Sequence, residues 1–271
     1  MSETARRLAI IGAGAMGQAL VRGLLVADVY SPRDVVAADI VRERLAALAE
    51  ETGIESAGNV EAAASSGVIV LAVKPMVVGG VLDEIAGYVE PEQMVISIAA
   101  GVRIRQIESK LREGVPVIRA MPNTPCLVGA GAVALSRGTD AQDSHVERAV
   151  GIFGAVGKVI EVPERLMDAV TGLSGSGPAY VYVVIEALTD AGVYAGLPRD
   201  QAALLAAQTV FGAAKMVIET GKHPAELREA VASPGGTTIA GLAALERADF
   251  RAAVLGAVEA AVERSRELSE G

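Results

Sequence analysis

Three glycines near the start of the chain are the first residues whose spacing could do chemistry. Gly12, Gly14 and Gly17 follow the short apolar run 7–11 and precede an apolar helical pattern. In a strand–turn–helix unit, the first glycine permits a tight turn, the second lets the backbone approach a pyrophosphate, and the third allows close helix–strand packing. The phosphates would then face the positive end of the helix. This spacing predicts a dinucleotide-binding turn.

An acidic residue follows at the position where such a site would meet the adenosine ribose. The predicted strand 35–38 ends in Asp39, 22 residues after Gly17. A carboxylate there can accept hydrogen bonds from the ribose hydroxyls, and it repels the 2′-phosphate of NADPH. Arg42 and Arg44 lie just downstream and could each reach a phosphate. The sequence therefore favours NADH slightly and leaves NADPH open.

Further strand ends should line the same cleft. The apolar runs 68–73, 94–99 and 115–119 read as buried parallel strands, and ligands in a doubly wound sheet lie beyond the carboxyl ends of its strands. The residues at those ends, and therefore the candidates for lining the cleft, are Lys74, Ala99, Ala100 and Asn123.

Two loops of the second half carry a pattern that a plain connection would not need. One is 174–180; the other is 233–238, directly ahead of a predicted helix at 239–246. Gly235 and Gly236 leave successive backbone N–H groups bare at a helix N-terminus, which suits a small carboxylate. The Thr238 hydroxyl could bond the rest of that ligand. The alternative is a helix cap made by Thr237 or Thr238.

The elements that position these residues form two domains. Strand patterns end near Pro163, and helices are predicted at 180–191, 199–219, 225–231, 239–246 and 250–268. The helix 199–219 is apolar nearly all round, so a partner subunit should bury it; the alternative is a monomer with a dense local core. We predict an α/β Rossmann domain with a doubly wound, mostly parallel sheet over residues 1–163. An all-α dimerisation and substrate-binding domain over residues 164–271 would follow it.

Composition excludes several classes of function. Half of the chain is hydrophobic (51%) and 21% is charged, which excludes intrinsic disorder. Aromatic residues make up 3% and the net charge is −9, which argues against nucleic acid and anionic membranes as partners. One Cys and two His allow no zinc cluster and no internal disulfide, so no metal is predicted. The longest uncharged stretches considered, 120–136 and 169–185, are interrupted by Pro, Asn, Gly and Ser. We therefore predict a soluble, cytoplasmic protein without a membrane span.

The segment 232–238, continuing through Gly241 to Glu246, resembles the signature of the pyrroline-5-carboxylate reductase family. Segments 11–16, 72–75, 121–125 and 173–180 match further family motifs in order and spacing, as does Asn59, so that the resemblance covers nearly the whole chain. It implies reduction of L-1-pyrroline-5-carboxylate to L-proline, the last step of proline synthesis, by hydride from NADPH or NADH. It also implies a homo-oligomer, a dimer that is often assembled as a pentamer of dimers.

The resemblance also implies roles for particular residues. Catalysis falls to Thr238, and substrate binding to Ser233, Gly235, Gly236, Thr237 and Thr238, with Ser176 as a further neighbour. The cofactor-binding residues that it implies are Ile11, Gly12, Ala13, Gly14, Ala15, Met16, Asn59, Ala72, Val73, Lys74, Pro75, Ala99 and Ala100. The glycine pattern and the acid after the strand 35–38 add Gly17 and Asp39. The chain departs from family patterns at Gly221, at Ala230 and at Asp39, which bears on the pocket and the NADPH preference.

Other functions remain as alternatives at this stage. A two-domain hydroxyacid dehydrogenase would use a helical Lys with an Asn one turn on, but Lys215 is followed by Met-Val-Ile-Glu. Another imine reductase is a further possibility. A non-catalytic dinucleotide sensor would have no need for a substrate loop beside a nicotinamide, and the intact loop 233–238 argues against it.

Overall fold

The computed structural model describes residues 7–270, with the backbone alone at residue 270. The ends of both predicted domains, residues 1–6 and residue 271, lie outside the described residues. The chain divides into two compact units. The first comprises Met1–Ser176 with Ala261–Gly271, and the second comprises Gly177–Ala260. The domain boundary predicted after residue 163 stays a prediction.

The first unit is built on an eight-stranded sheet of order β3-β2-β1-β4-β5-β6-β7-β8. Every neighbouring pair of strands is parallel except β6 and β7, which are antiparallel. The strands are β1 (Leu8–Ile11), β2 (Val35–Ala38), β3 (Glu55–Ser56), β4 (Val68–Leu71), β5 (Met94–Ser97), β6 (Val117–Met121), β7 (Gly131–Arg137) and β8 (Gly157–Glu161).

Helices alternate with these strands. They are α1 (Ala15–Val26), α2 (Arg42–Thr52), α3 (Asn59–Ala64), α4 (Pro75–Ile85), α5 (Ile104–Glu108), α6 (Asp143–Gly154) and the short α7 (Met167–Val170). The predicted α/β fold with a doubly wound, mostly parallel sheet is confirmed.

Strands β1, β2 and β4 are apolar along their whole length because both faces of the sheet are covered. In β1, Leu8 and Ile10 belong to one buried cluster, while Ala9 and Ile11 belong to the cluster on the opposite face. This burial explains why the strands lack the alternation of polar and apolar residues that a half-exposed strand would show. It also fixes where each strand ends, and those ends position the site.

The sequence did not predict β7 and β8. The run 120–136 is uncharged, but Pro, Gly and Asn interrupt it, which hides the strand. A 3₁₀ turn at Thr124–Val128 connects β6 to β7. Such a short connection allows an antiparallel partner, whereas a parallel strand would need a longer crossover.

The second unit is helical throughout its regular elements. Its helices are α8 (Gly177–Tyr194), α9 (Arg199–Thr220), α10 (Pro224–Ala230), α11 (Thr237–Arg247) and the first part of α12 (Phe250–Glu270). Large apolar side chains of α9 are exposed, with Leu204 at 70% and Ile218 at 68%. Among the described residues, α9 is long and apolar enough to cross a membrane by length and composition.

The last residues of α12 return to the first unit, where Ser265 and Ser269 anchor them. The Ser265 hydroxyl donates to the Asp168 carboxylate at 2.7 Å, and the Ser269 hydroxyl donates to the Ser265 carbonyl at 2.9 Å. Both serines are buried. Hydrogen bonding thus satisfies the polar groups that this end of the helix buries.

Candidate active site

The glycine-rich turn has the geometry that a dinucleotide pyrophosphate requires. Gly12 has φ +111°, and a Cβ there would lie 2.5 Å from the Ala72 carbonyl oxygen. A Cβ on Gly17 would lie 2.0 Å from the Gly12 carbonyl oxygen. Gly14 differs from both, because no described heavy atom other than those of its chain neighbours would lie within 4 Å of its Cβ. The first and third glycines are therefore required by the turn itself, and the second leaves room for a ligand.

Asp39 is part of the same turn. Its carboxylate accepts the Ala13 backbone N–H at 2.6 Å on one oxygen and the Val41 N–H at 2.7 Å on the other. The side chain is only 7% exposed, and a guanidinium nitrogen of Arg44 lies 3.5 Å from it. Asp39 therefore ties the glycine-rich turn to the start of α2. A role toward the ribose stays a prediction.

A cavity of about 680 Å³ opens beside Asp39, at the carboxyl end of β2. A second cavity of about 260 Å³ adjoins the ends of β1 and β4. Asp39, Ile40 and Asn59 line both. Of the other predicted cofactor residues, Ile11, Gly12 and Val73 line the second cavity. These cavities lie where a doubly wound sheet binds its ligands.

The remaining predicted cofactor residues lie around this edge without lining either cavity. Lys74 caps α4 and Pro75 begins it, both exposed. Ala99 and Ala100 follow β5, the first buried and the second exposed. Ala13, Ala15 and Met16 belong to the turn and the start of α1, and Ala72 lies against Gly12. Their contacts with a cofactor remain predictions.

Glu84 is a charged residue of this site that the sequence did not predict. Glu84, near the end of α4, lines both cavities and accepts a hydrogen bond from the Asn59 side-chain amide at 2.8 Å. An exposed Glu on an amphipathic helix carries no signal in a sequence. The packing of α3 beside α4 is what brings Glu84 to Asn59.

The predicted substrate loop in the second unit is a tight turn that opens helix α11. Gly235 has φ +68°, in the left-handed region, and the Gly236 N–H donates to the Ser233 carbonyl at 2.9 Å. A Cβ on Gly236 would lie 2.5 Å from the Ser233 hydroxyl oxygen and 3.1 Å from the Ser233 carbonyl oxygen, so a side chain there would displace the Ser233 hydroxyl. Gly236 caps α11, and no side chain of the described residues forms a hydrogen bond at this cap. The start of α11 thus offers backbone donors to an anion.

Thr238 does not act as a cap. Its hydroxyl donates to the Val231 carbonyl at 3.0 Å, across the loop, and the residue is half-buried. The helix-cap alternative for Thr237 and Thr238 is therefore wrong in this structure. With its proton directed to Val231, the hydroxyl oxygen keeps its lone pairs free to accept a hydrogen bond.

The stretch 174–177 is not the loop that the sequence predicts. Residues 171–175 form a π-helical turn, Ser176 follows in helical geometry, and α8 begins at Gly177. The Ser174 hydroxyl donates to the Val170 carbonyl at 3.0 Å, as it would inside a helix. π-Helical turns often mark functional positions, and helix interiors with Gly and Ser read as loops in a sequence. A contact between Ser176 and substrate remains a prediction.

Asn123 connects this π-helical turn to the sheet. Its side-chain amide donates to the Ser174 carbonyl at 3.0 Å, and its side-chain oxygen accepts the Ala132 N–H at 2.9 Å. The residue is 9% exposed. It holds the end of β6, the start of β7 and the π-helical turn together.

We expect Asn123→Ala to destabilise the first unit, because it leaves the Ala132 N–H and the Ser174 carbonyl without their partner. Both hydrogen bonds are part-buried and each contributes about 0.5–1.5 kcal/mol, so the loss in unfolding free energy should be about 1–3 kcal/mol. Urea denaturation followed by circular dichroism measures it. A change below about 0.5 kcal/mol, the range of ordinary surface substitutions, would contradict this role.

Both histidines make local hydrogen bonds to the backbone. The ring nitrogen Nδ1 of His223 accepts the Ala225 N–H at 3.2 Å and caps α10, and His145 accepts the Gln142 N–H at 2.9 Å. Within the described residues, no three His, Cys, Asp or Glu side chains are grouped so as to hold a metal ion. The candidate functional groups are therefore the backbone N–H groups of the glycine-rich turn and the backbone N–H and hydroxyl groups of the Ser233–Thr238 loop.

A mostly parallel sheet with a glycine-rich strand–turn–helix unit, followed by a helical unit, is the architecture of a Rossmann-type oxidoreductase. Two family models match the chain. One is described as pyrroline-5-carboxylate reductase dimerisation and matches residues 164–268. The other is described as NADP oxidoreductase coenzyme F420-dependent and matches residues 7–101.

Individual relatives narrow the class to one family. The chain is 46% identical to pyrroline-5-carboxylate reductase of Methanosarcina acetivorans over 98% of each protein. It is similar to the solved pyrroline-5-carboxylate reductase of Coxiella burnetii, with a TM-score of 0.93, 37% identity and coverage of 98% and 99% of the two chains. The Plasmodium falciparum pyrroline carboxylate reductase, solved with NADP bound, matches with a TM-score of 0.86, 34% identity and the same coverage. The chain belongs to the pyrroline-5-carboxylate reductase family.

Proposed function

We propose that this protein is a pyrroline-5-carboxylate reductase, which transfers hydride from NADPH or NADH to the C=N bond of L-1-pyrroline-5-carboxylate and releases L-proline. The observation that carries the proposal is the pairing of two sites in one chain of this family. One is the open Gly14 turn, and the other is the Gly235-Gly236 loop at the start of α11. The reaction completes the biosynthesis of proline.

The cofactor end is built from the turn and the strand ends around it. When bound, the reduced nicotinamide supplies the hydride, and this chemistry belongs to the cofactor. The open face of Gly14 and the start of α1 suit the pyrophosphate. Asn59 and Asp39 suit the adenosine ribose. The segments 72–75 and 99–100, at the ends of β4 and β5, would hold the remainder of the cofactor.

The substrate end recognises a carboxylate without a Lys or Arg side chain. Backbone N–H groups of Thr237 and Thr238 open α11 and carry its partial positive charge, while the Gly236 N–H already donates to the Ser233 carbonyl at 2.9 Å. The Ser233 hydroxyl lies against Gly236 and can add a further donor. Gly235, in the left-handed region, shapes the turn so that side chains do not obstruct it.

Thr238 then acts on the ring nitrogen. Because its proton is directed to the Val231 carbonyl, its oxygen can accept an N–H but has no second proton to donate. This favours a substrate whose imine nitrogen is already protonated. Hydride adds to the imine carbon, the C=N electron pair moves to nitrogen, and the nitrogen keeps its proton to become the amine of proline. A protonated imine is the more electrophilic form and needs only a hydride held in line with it.

The rival hydroxyacid dehydrogenase lacks support at its essential residue. Lys215 lies on α9 with its side chain 54% exposed, and it pairs with Glu219 at 3.5 Å, one turn along the same helix. That arrangement is typical of a solvent-exposed ion pair. It leaves the helical lysine without the neighbouring amide that the rival chemistry would use.

We infer that the protein assembles as a dimer through the helical unit and further as a pentamer of dimers. The exposed apolar side chains of α9 support self-association, since such a surface is costly to leave in water. The match to a dimerisation model over residues 164–268 supports the dimer. We place the protein in the cytoplasm, with a small-molecule substrate and no nucleic-acid or membrane partner.

Initial rates with L-1-pyrroline-5-carboxylate test the proposed reaction. NADH or NADPH oxidation, followed by absorbance, should match proline formation one for one when both are measured in the same samples. Cofactor oxidation without proline would point to another imine substrate. Cofactor binding without any turnover would favour the sensor and contradict the proposal.

A further inference from the structure

The adenosine end of the cofactor cleft carries more negative than positive charge. Among the described residues that line the larger cavity, the charged side chains are Asp39, Glu84 and Arg42. Glu84 lies on α4 and lines this cavity together with Asp39, which follows β2. The 2′-phosphate of NADPH, carried by the adenosine ribose, would therefore enter a cavity with two carboxylates in its lining.

The carboxylate of Asp39 cannot turn away from such a phosphate. Backbone N–H groups of Ala13 and Val41 hold its two oxygens at 2.6 Å and 2.7 Å, and the side chain is 7% exposed. Solvent screens a buried charge much less than an exposed one. The Val41 N–H, which lies at the start of α2 and could otherwise serve a phosphate, is already occupied.

Glu84 further reduces the number of hydrogen-bond donors that are available to a 2′-phosphate. Its carboxylate accepts one N–H of the Asn59 amide at 2.8 Å, and Asn59 lines both cavities. The amide that could bind a 2′-phosphate thus has one of its two donors committed to a carboxylate. A ribose hydroxyl does not have this difficulty, because it can donate to a carboxylate and needs no positive partner.

The two arginines do not reverse this balance. Arg44 lies 3.5 Å from Asp39, so each charge partly offsets the other, but Arg44 lines neither cavity and does not offset the charge of Glu84. Arg42 is exposed, so pairing with a phosphate would fix a long side chain in a strongly screened position and gain little. We therefore expect the fixed carboxylate of Asp39 to repel a 2′-phosphate more strongly than the exposed guanidinium of Arg42 attracts it.

We propose that Asp39 and Glu84 together make this reductase selective for NADH over NADPH, with Glu84 as a specificity-determining residue. The inference rests on the proposed function for the identity of the ligand. It concerns the ribose end of the site alone. Its two carboxylates act on the 2′ position and leave the hydride chemistry unchanged.

Direct binding tests the inference independently of catalysis. Calorimetric titration of the full-length protein with NAD⁺ and with NADP⁺ gives the two Kd values. We expect NADP⁺ to bind at least about tenfold more weakly, the effect of 1.4 kcal/mol of unfavourable interaction. In Glu84→Gln, which keeps an acceptor for Asn59 but removes the charge, the NADP⁺ Kd should fall about three- to tenfold while the NAD⁺ Kd stays within about twofold.

Glu50→Gln is the matched control, because it removes the same charge from an exposed position on α2 that lines neither cavity. Its ratio of Kd values should equal that of the unaltered protein. Tighter or equal binding of NADP⁺ by the unaltered protein, or an unchanged ratio in Glu84→Gln, would overturn the inference. Selective binding without proline-forming turnover would instead overturn the proposed reaction and leave the selectivity intact.

Discussion

Thr238→Val should lower kcat by about ten- to a hundredfold, which corresponds to the 1.5–3 kcal/mol of a hydrogen bond to a charged group. Valine keeps the shape of threonine but removes the oxygen that would accept the N–H of the protonated imine. The hydroxyl is already bonded to the Val231 carbonyl, so its orientation is fixed before substrate arrives. Because the residue belongs to the substrate loop, the Kd for NADH should stay within about twofold. Steady-state rates and cofactor titration measure both effects.

Two variants separate this chemical role from a structural one. Thr238→Ser keeps the hydroxyl and should retain most of the turnover. Thr189→Val removes a similar bond in the same unit, from a threonine hydroxyl to the Ile185 carbonyl at 2.8 Å, and should leave kcat unchanged. If Thr238→Val lowered only the melting temperature and left kcat intact, the bond to Val231 would be structural and the catalytic role would be wrong.

Gly14→Ala should weaken NADH binding at least about tenfold, or 1.4 kcal/mol, without destabilising the protein. The backbone of Gly14 has φ −68° and ψ −177°, which alanine adopts readily, and the new methyl group meets no described heavy atom within 4 Å other than those of its chain neighbours. The methyl group would instead occupy the space where the pyrophosphate must approach the turn. Titration of NADH fluorescence measures the affinity, and thermal denaturation checks the fold.

Gly151→Ala is the matched control for this change. Gly151 lies in α6, where an added methyl group meets no described heavy atom within 4 Å outside its chain neighbours and the backbone of its own helix, and alanine favours a helix over glycine by about 1 kcal/mol. It should leave NADH affinity unchanged and raise the melting temperature slightly. Unchanged affinity in Gly14→Ala as well would contradict the placement of the pyrophosphate at this turn.

The sequence was sufficient for the turn because each of its glycines answers a local steric demand. The crowding at Gly12 and Gly17 and the open face at Gly14 follow from one strand–turn–helix unit of consecutive residues. The position of Asp39 could also be predicted, since the parallel strands β1 and β2 place their ends side by side. The contact from Asp39 to the Ala13 N–H is the direct result of that register.

Other features depend on the packing of separate elements or on backbone geometry that local propensity does not record, and the sequence alone could not supply them. Glu84 reaches Asn59 only because α3 packs beside α4, and nothing in the pattern of either helix records this. The π-helical turn at 171–175 arises in a run of Gly and Ser that local propensity assigns to a loop. The Thr238–Val231 bond, which bears on the protonation state of the substrate, joins residues seven positions apart across a turn.

The fate of the hydride tests the central claim most directly. The protein is supplied with L-1-pyrroline-5-carboxylate and with NADH in which deuterium replaces both hydrogens on nicotinamide C4. The product is examined by mass spectrometry and NMR. We predict proline that carries a single deuterium at the former imine carbon, whichever face of the nicotinamide is used. Proline without deuterium, or NADH oxidation that yields no proline, would contradict hydride transfer to the C=N bond.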